Sequence, residues 1–352
     1  MTADLTAVRS PVYERLLDRW DRYMFPQTKA VRLAVMRIIV CGLHVLLFAL
    51  PWDYTATFLQ ADGFIRPEWI TQLWLLVVPE AVLRTAEFMA VAHMVMYSAA
   101  VLACIGLRTK LSLWALVISS WLISAHGYSY GEIHHPEAVW NIFLLMLALG
   151  PAGRALSVDA WLARRKLGEP EATRAGWGTD ATMSTAFWGI RVTMIVIALA
   201  YLDAGLSKLL NGGLDAWVYR IGFENFGVWD STKRGLHWFN GYTLQHYLLQ
   251  DGIRFDRPLG VWISQYKTLC QLLSVGAVAF ELGFILILFF RRLIPVLLIG
   301  GVMLHAGIEV TQGATFFMLV TLYGVWVPWE RLLARFNARS APPASTASPS
   351  FA

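Results

Sequence analysis

Apolar residues in this chain gather into several runs long enough to cross a bilayer, separated by short polar, charged or Gly/Pro-containing stretches. The runs predict eight helical spans, at about residues 30–51, 88–106, 111–126, 137–149, 187–209, 268–290, 293–310 and 314–329. The fourth falls short of the ~20 residues a crossing needs and is expected to extend into its flanks. Ahead of the first span, residues 10–25 interleave Arg15, Arg19 and Arg22 with aromatics, the pattern of a helix lying on the membrane surface. Gly63 and Pro67 break residues 52–87 into short pieces. Residues 211–267 form a long connection dense in aromatics, among them Trp217, Trp238 and Trp262, which suits interfacial or re-entrant helices better than a free loop. The expectation is an all-α polytopic membrane protein with a surface N-terminal segment (1–29), a transmembrane domain (30–330) and a disordered tail (331–352) rich in Ser, Pro and Ala.

Composition agrees with the runs. Apolar residues make up 57% of the chain, and the mean hydropathy is +0.52. No short apolar core with a small-residue cleavage site opens the sequence, so no cleavable signal peptide is expected. The net charge of +5 reports orientation rather than nucleic-acid binding. With both termini cytoplasmic, the inner segments collect Arg9 to Arg32, Arg108 and Lys110, Arg154 to Arg174, Arg291-Arg292, and Arg331 to Arg339. One span more or fewer would put Arg164-Arg165-Lys166 and Arg291-Arg292 on opposite sides. Eight spans in the plasma (inner) membrane fit best, with the lipid bilayer itself as the first partner. The three cysteines lie in apolar runs and imply no disulfide framework. No phosphate-binding loop, dinucleotide fingerprint or zinc-protease motif is present, and no histidine has a partner at metal-ligand spacing, so no metal is expected.

The chemistry concentrates in residues 201–217. At about 100° per residue, Tyr201, Ala204, Gly205 and Lys208 share one helical face. The two small residues leave a notch beside the lysine stem, which a neighbouring helix or a flat ligand could fill. Asp203 projects from another face and is not the obvious counter-ion. Lys208 has two readings. It snorkels, with its ammonium in the headgroups, or it is desolvated enough to lose its proton and act as a base. In the eight-span topology Lys208, the 128–135 loop, His305 and Glu309 all come to the outer side, facing one cavity. His134 and His135 are adjacent, so their side chains diverge, and a solvated loop pair stands against a functional His135. Glu309, one turn after His305, is placed to orient its ring. Arg37, inside the first span, could snorkel, pair with an acid or contact a ligand.

Ala204-Gly205-Leu206-Ser207-Lys208-Leu209, followed by Trp217, resembles the Ala-Gly-x-x-Lys-Leu…Trp signature of the HTTM family, horizontally transferred transmembrane proteins related to vitamin K-dependent γ-carboxylase. The resemblance covers about residues 25–329. It implies that Lys208 is the base that starts oxidation of a reduced, vitamin K-like quinone, and that Tyr201, Ala204, Gly205 and Trp217 border the quinone. Ser207 stands where the family often has a second lysine. His135 matches the histidine of an Asn-Asn-His sequence that assists the base, with Ile133-His134 in place of the asparagines. His305 matches a His-x-x-Asn pattern in which Ile308 replaces Asn. Arg37 and Ser157-Val158-Asp159 look like family landmarks for helix anchoring and capping. The carboxylase's large domain beyond its membrane part has no counterpart in this sequence, so binding of a protein substrate is not carried over.

Two function classes follow. In one, the protein is a carboxylase-like enzyme whose base lysine acts on a lipid-soluble hydroquinone to drive modification of a small substrate or peptide. In the other, it is a non-catalytic membrane protein in export, maturation or immunity.

Overall fold

The apolar runs are helices. A computed structural model describes residues 11–48, 76–79, 82, 85–128, 135–166, 177, 182–210 and 238–339. Among them are 13 α-helices and one short strand pair. In chain order these are α1 (Pro11–Met24), β1 (Thr28–Lys29), α2 (Val31–Phe48), α3 (Ala86–Ile105), α4 (Thr109–Tyr128), α5 (His135–Leu149), α6 (Val158–Lys166), β2 (Thr182–Met183) and α7 (Trp188–Leu209). There follow α8 (Tyr242–Arg254), α9 (Pro258–Ser264), α10 (Lys267–Gly283), α11 (Ile294–Gln312), α12 (Phe317–Leu322) and α13 (Trp329–Arg339). Four stretches are long and apolar enough to cross a membrane: Glu87–Ile105, Ser184–Leu209, Lys267–Leu288 and Arg291–Gln312. Three shorter apolar stretches, Thr109–Ala125, Pro136–Leu149 and Phe317–Trp326, fall on three more of the expected spans, and α2 falls on the first.

The chain forms two compact units. The first holds residues 1–130, 144–191 and 327–352. Here Thr85 caps α3 by accepting from Phe88 N at 3.2 Å, and Gly106 ends it at φ +74°, with Leu107 N returning to Leu102 O. The left-handed turn is one reason for glycine. The other is that a Cβ there would meet the Arg37 guanidinium and lie 2.8 Å from Ser157 Cα. Arg37 is fully buried and donates to Ala103 O at 2.8 Å and Leu156 O at 2.5 Å, tying α2 to the end of α3 and the turn before α6. Among the described residues it pairs with no acid side chain and instead anchors three elements through backbone carbonyls. Its guanidinium is spent on two backbone carbonyls, one of which, Ala103 O, also accepts from Gly106 N. Asp159 caps α4, accepting from Arg108 N at 2.8 Å and Thr109 N at 2.6 Å, and Ser157 Oγ accepts from Ala160 N at 2.9 Å at the start of α6. The anchoring and capping expected of these residues is what they do.

The C-terminal boundary needs correction. Residues 331–339 belong to α13 rather than to a disordered tail, because Trp329, Leu332, Leu333 and Phe336 recur at helical spacing. Glu330 of α13 pairs with Arg32 of α2, and Leu333 packs on the small-residue cluster of Ala30, Ala34, Ala155 and Ala186. Residues 340–352 lie outside the described set.

The second unit holds residues 131–143 and 192–326. Its described part of the expected outer loop is helical: α8 and α9 pack on one another, with Gln245 Nε2 donating to Ser264 O at 2.5 Å. Both sit on α10, where Cys270 Sγ reaches Ile263 O at 3.4 Å, and near the end of α11, where Arg257 meets Glu309. Leu272, Val296, Ile299 and Met303 remain more than 60% exposed, apolar surface of the kind lipid would cover.

Candidate functional site

Lys208 lies in the last turn of α7, and its Nζ donates to both carboxylate oxygens of Glu281 on α10, each at 2.8 Å. The side chains are 21% and 10% exposed. Trp238 lies under the ammonium, its ring centroid 5.2 Å from Nζ. Of the two readings of Lys208, a freely projecting, snorkelling ammonium does not describe this contact, since Nζ is held by a carboxylate of a neighbouring helix. Glu281 is the partner that sequence reasoning missed. The available signal was that it is the single acid between Lys267 and Arg291.

Seven residues earlier on α7, Tyr201 is buried and its hydroxyl meets two groups at once. His305 Nε2 on α11 lies 2.5 Å away, and the Tyr323 hydroxyl completes the cluster. Tyr201 stacks on Phe284 at 4.0 Å between centroids and meets Phe280 edge-on, while His305 stacks on Phe316 at 4.5 Å. Gly301 on α11 permits this, because a Cβ there would meet the Tyr323 hydroxyl. Tyr323 was also missed in the sequence, where it reads as one more aromatic in an apolar run.

Hydrogen-bond accounting leaves one atom over. If Tyr201 donates to Nε2, Nδ1 carries the ring proton; if Nε2–H donates to Tyr201, Nδ1 is a bare acceptor. In both cases Nδ1 is buried with no hydrogen-bond partner among the described residues. Glu309 does not orient His305, contrary to expectation: its carboxylate faces Arg257 Nη2 at 3.4 Å. Helical spacing puts the two on one side of α11, but the imidazole turns toward Tyr201 and Phe316.

The notch is filled. A Cβ on Gly205 would lie 2.9 Å from Leu282 N and 3.0 Å from Leu282 Cδ2, so of the two expected occupants it is a neighbouring helix, α10, and not a flat ligand that takes the space beside Gly205. Ala204 beside it is half-buried. Trp217 lies outside the described residues. His135 opens α5, and its side chain is also outside them. Lys208 and His305 do not share a hydrogen bond among the described contacts. The one unmet polar atom of the cluster, His305 Nδ1, lies among the rings of Phe280, Phe284 and Phe316, whereas the space beside Gly205 is taken up by α10. No metal-holding group of three or more ligands occurs among the described residues.

Fold and site together define an all-α chain with helices able to cross a membrane, an ion pair set among apolar residues, and a buried Tyr-His-Tyr cluster beside it. Comparison with known proteins finds no matching protein-family model, no matching curated protein and no matching solved structure.

Proposed function

We propose that this chain is an integral plasma (inner) membrane protein of HTTM, carboxylase-like type, with eight spans and both termini cytoplasmic, in which Lys208 serves as a base toward a reduced quinone. The observation that carries the reading is the carboxylate of Glu281 within 2.8 Å of Lys208 Nζ, inside an apolar helix pair. The carboxylate alone favours the ammonium, so Glu281 serves as the acceptor to which Nζ passes its proton when a bound ligand desolvates the pair. The Tyr201 hydroxyl fixes the His305 ring, and Nδ1 of that ring is left to accept from an incoming hydroxyl or, in the other tautomer, to donate to an incoming oxygen. Phe280, Phe284 and Phe316 keep water from these groups. A bound hydroquinone would supply the acidic hydroxyl and two reducing electrons, with dissolved dioxygen as the electron acceptor. The modified acceptor is a small molecule or peptide, as the resemblance implies.

A second reading has its own support. The bidentate Lys208–Glu281 pair and the close Gly205–Leu282 approach are also what a helix lock looks like, which suits a non-catalytic protein in export, maturation or immunity. Oxidation of a vitamin K-type hydroquinone by the purified protein separates the two. Lys208→Arg keeps a cation opposite Glu281 but does not give up its proton. Under the base reading, Lys208→Arg and Lys208→Ala both lose activity by about 100-fold or more. An active Lys208→Arg protein ends that reading, and a wild-type protein without activity leaves the helix lock.

A further inference from the structure

The first unit contains a cavity of about 830 Å³ where the start of α4, the end of α5, α6 and the start of α7 meet. Three cations line it, Lys110, Arg154 and Arg164, against one acid, Asp159. That acid is engaged: Oδ1 accepts from Arg108 N, and Oδ2 from Thr109 N at 2.6 Å and Thr109 Oγ1 at 2.7 Å. Its charge serves the N-terminus of α4, and Lys110 and Arg154 remain as the exposed cations of the lining. The walls are apolar, with buried Leu113 and half-buried Trp188. Lys110 reaches across the mouth to Leu149 O at 3.2 Å, and Arg154 is exposed.

Cations at a rim, apolar walls beneath them, and a position at the ends of three apolar helices form the pattern of a headgroup site. We infer that this cavity binds a phosphate-bearing anion, and that its size and apolar walls suit the glycerophosphate and upper acyl chain of an anionic phospholipid. An inorganic phosphate would engage the same cations and leave most of the volume unfilled. The site is distinct from the Lys208 cluster and stands whether or not that cluster is catalytic.

The full chain in detergent is titrated calorimetrically with dioctanoyl phosphatidylglycerol, dioctanoyl phosphatidylcholine and sodium phosphate. Phosphatidylglycerol is expected to bind saturably and more tightly than phosphatidylcholine. Lys110→Gln/Arg154→Gln should weaken it about 20-fold, while Lys110→Arg/Arg154→Lys should retain it. Both positions are exposed, so the variants should melt with the wild type, and an unchanged melting temperature makes the comparison valid. Phosphate that binds alone, competes with the lipid and is lost in the double-Gln variant supports the same anion site with a free ion as its source. Equal affinity for the zwitterionic lipid, no binding of either anion, or anion binding unchanged in the double-Gln variant overturns the inference.

Discussion

Replacing Lys208 by Met removes one half of an ion pair whose other half is only 10% exposed. Met approximates the lysine stem, so the perturbation is mainly electrostatic. Breaking a fully buried pair costs about 3–5 kcal/mol, chiefly because the remaining charge loses its partner. Lys208 keeps about a fifth of its surface exposed, and water reaching that side lowers the expectation to about 2–4 kcal/mol. Loss of the contact with the Trp238 ring falls within that range, at about 0.5–1 kcal/mol for a partly exposed cation. Glu281→Met leaves the ammonium over Trp238 with a longer, more adaptable stem, and should cost less, about 1–3 kcal/mol. The double variant removes both charges and packs two thioethers in their place, so it should return to within about 1–2 kcal/mol of the native protein.

The assay is a double-mutant cycle on reversible unfolding in mixed micelles, followed by circular dichroism. The expected coupling is about 2–5 kcal/mol, well above the ~0.5 kcal/mol within which independent sites add. A double variant that costs the sum of the two singles would show that the pair contributes nothing, and the Proposed function would lose its proton-holding group.

Two further outcomes test the surroundings of the site and of the first unit. Gly205→Ala places a Cβ 2.9 Å from a backbone nitrogen of α10, which cannot swing aside as a side-chain tip can, so the melting temperature should fall by the equivalent of about 1–3 kcal/mol; a change within about 0.5 kcal/mol would refute the close approach. Burial raises the Glu330 carboxyl, but hydrogen bonds from Arg32 and the backbone, with the charges of Arg32 and Arg331, outweigh it and hold the group below its usual value. A depressed carboxylate contributes stability that is fully present above about pH 5 and is lost as pH falls through its folded-state value. The melting-temperature gap between wild type and Glu330→Gln should therefore be widest near neutrality and narrow in acid, and a gap independent of pH would show that the carboxylate's charge plays no part in docking α13.

Apolar runs made the helical class legible, because helix length and the absence of charge are properties of neighbouring residues. The anchoring role of Arg37 and the Ser157-Val158-Asp159 cap were legible through the family resemblance, and the contacts found are of that kind. What stayed hidden depends on rotation about a helix axis or on partners far apart in the chain. Glu281 lies 73 residues from Lys208, and nothing local says which way its carboxylate faces. Spacing placed Glu309 beside His305 correctly, yet the imidazole found Tyr201, 104 residues away. The notch at Ala204-Gly205 was visible, while its occupant Leu282 was not. The end of α13 was misplaced because the basic residues of its polar face read as tail when counted without their apolar partners.

The direction of the Lys208 stem links the ion pair to the hydroxyl cluster. On an α-helix each Cα–Cβ bond tilts toward the N-terminus, so a lysine in the last turn of α7 projects back along its own helix. Snorkelling past the helix end would turn it against that tilt. Glu281 lies fourteen positions after Lys267, about 21 Å along α10, and seven before the end of the apolar stretch at Leu288. The pair is therefore deep in an apolar segment, where two charges cost more desolvation than an apolar pair of equal volume. Stability alone does not account for it; what the pair adds is register. It fixes α7 against α10 at one level, and two turns away on the same face of α7 that register puts Tyr201 against Phe284 and within reach of His305 and Tyr323. A slip of one residue would turn the Tyr201 hydroxyl by about 100° and break both of its hydrogen bonds. The lysine that the proposed function makes a base would thereby also set the position of Tyr201 and the groups it meets, so a loss of register should show in both contacts at once.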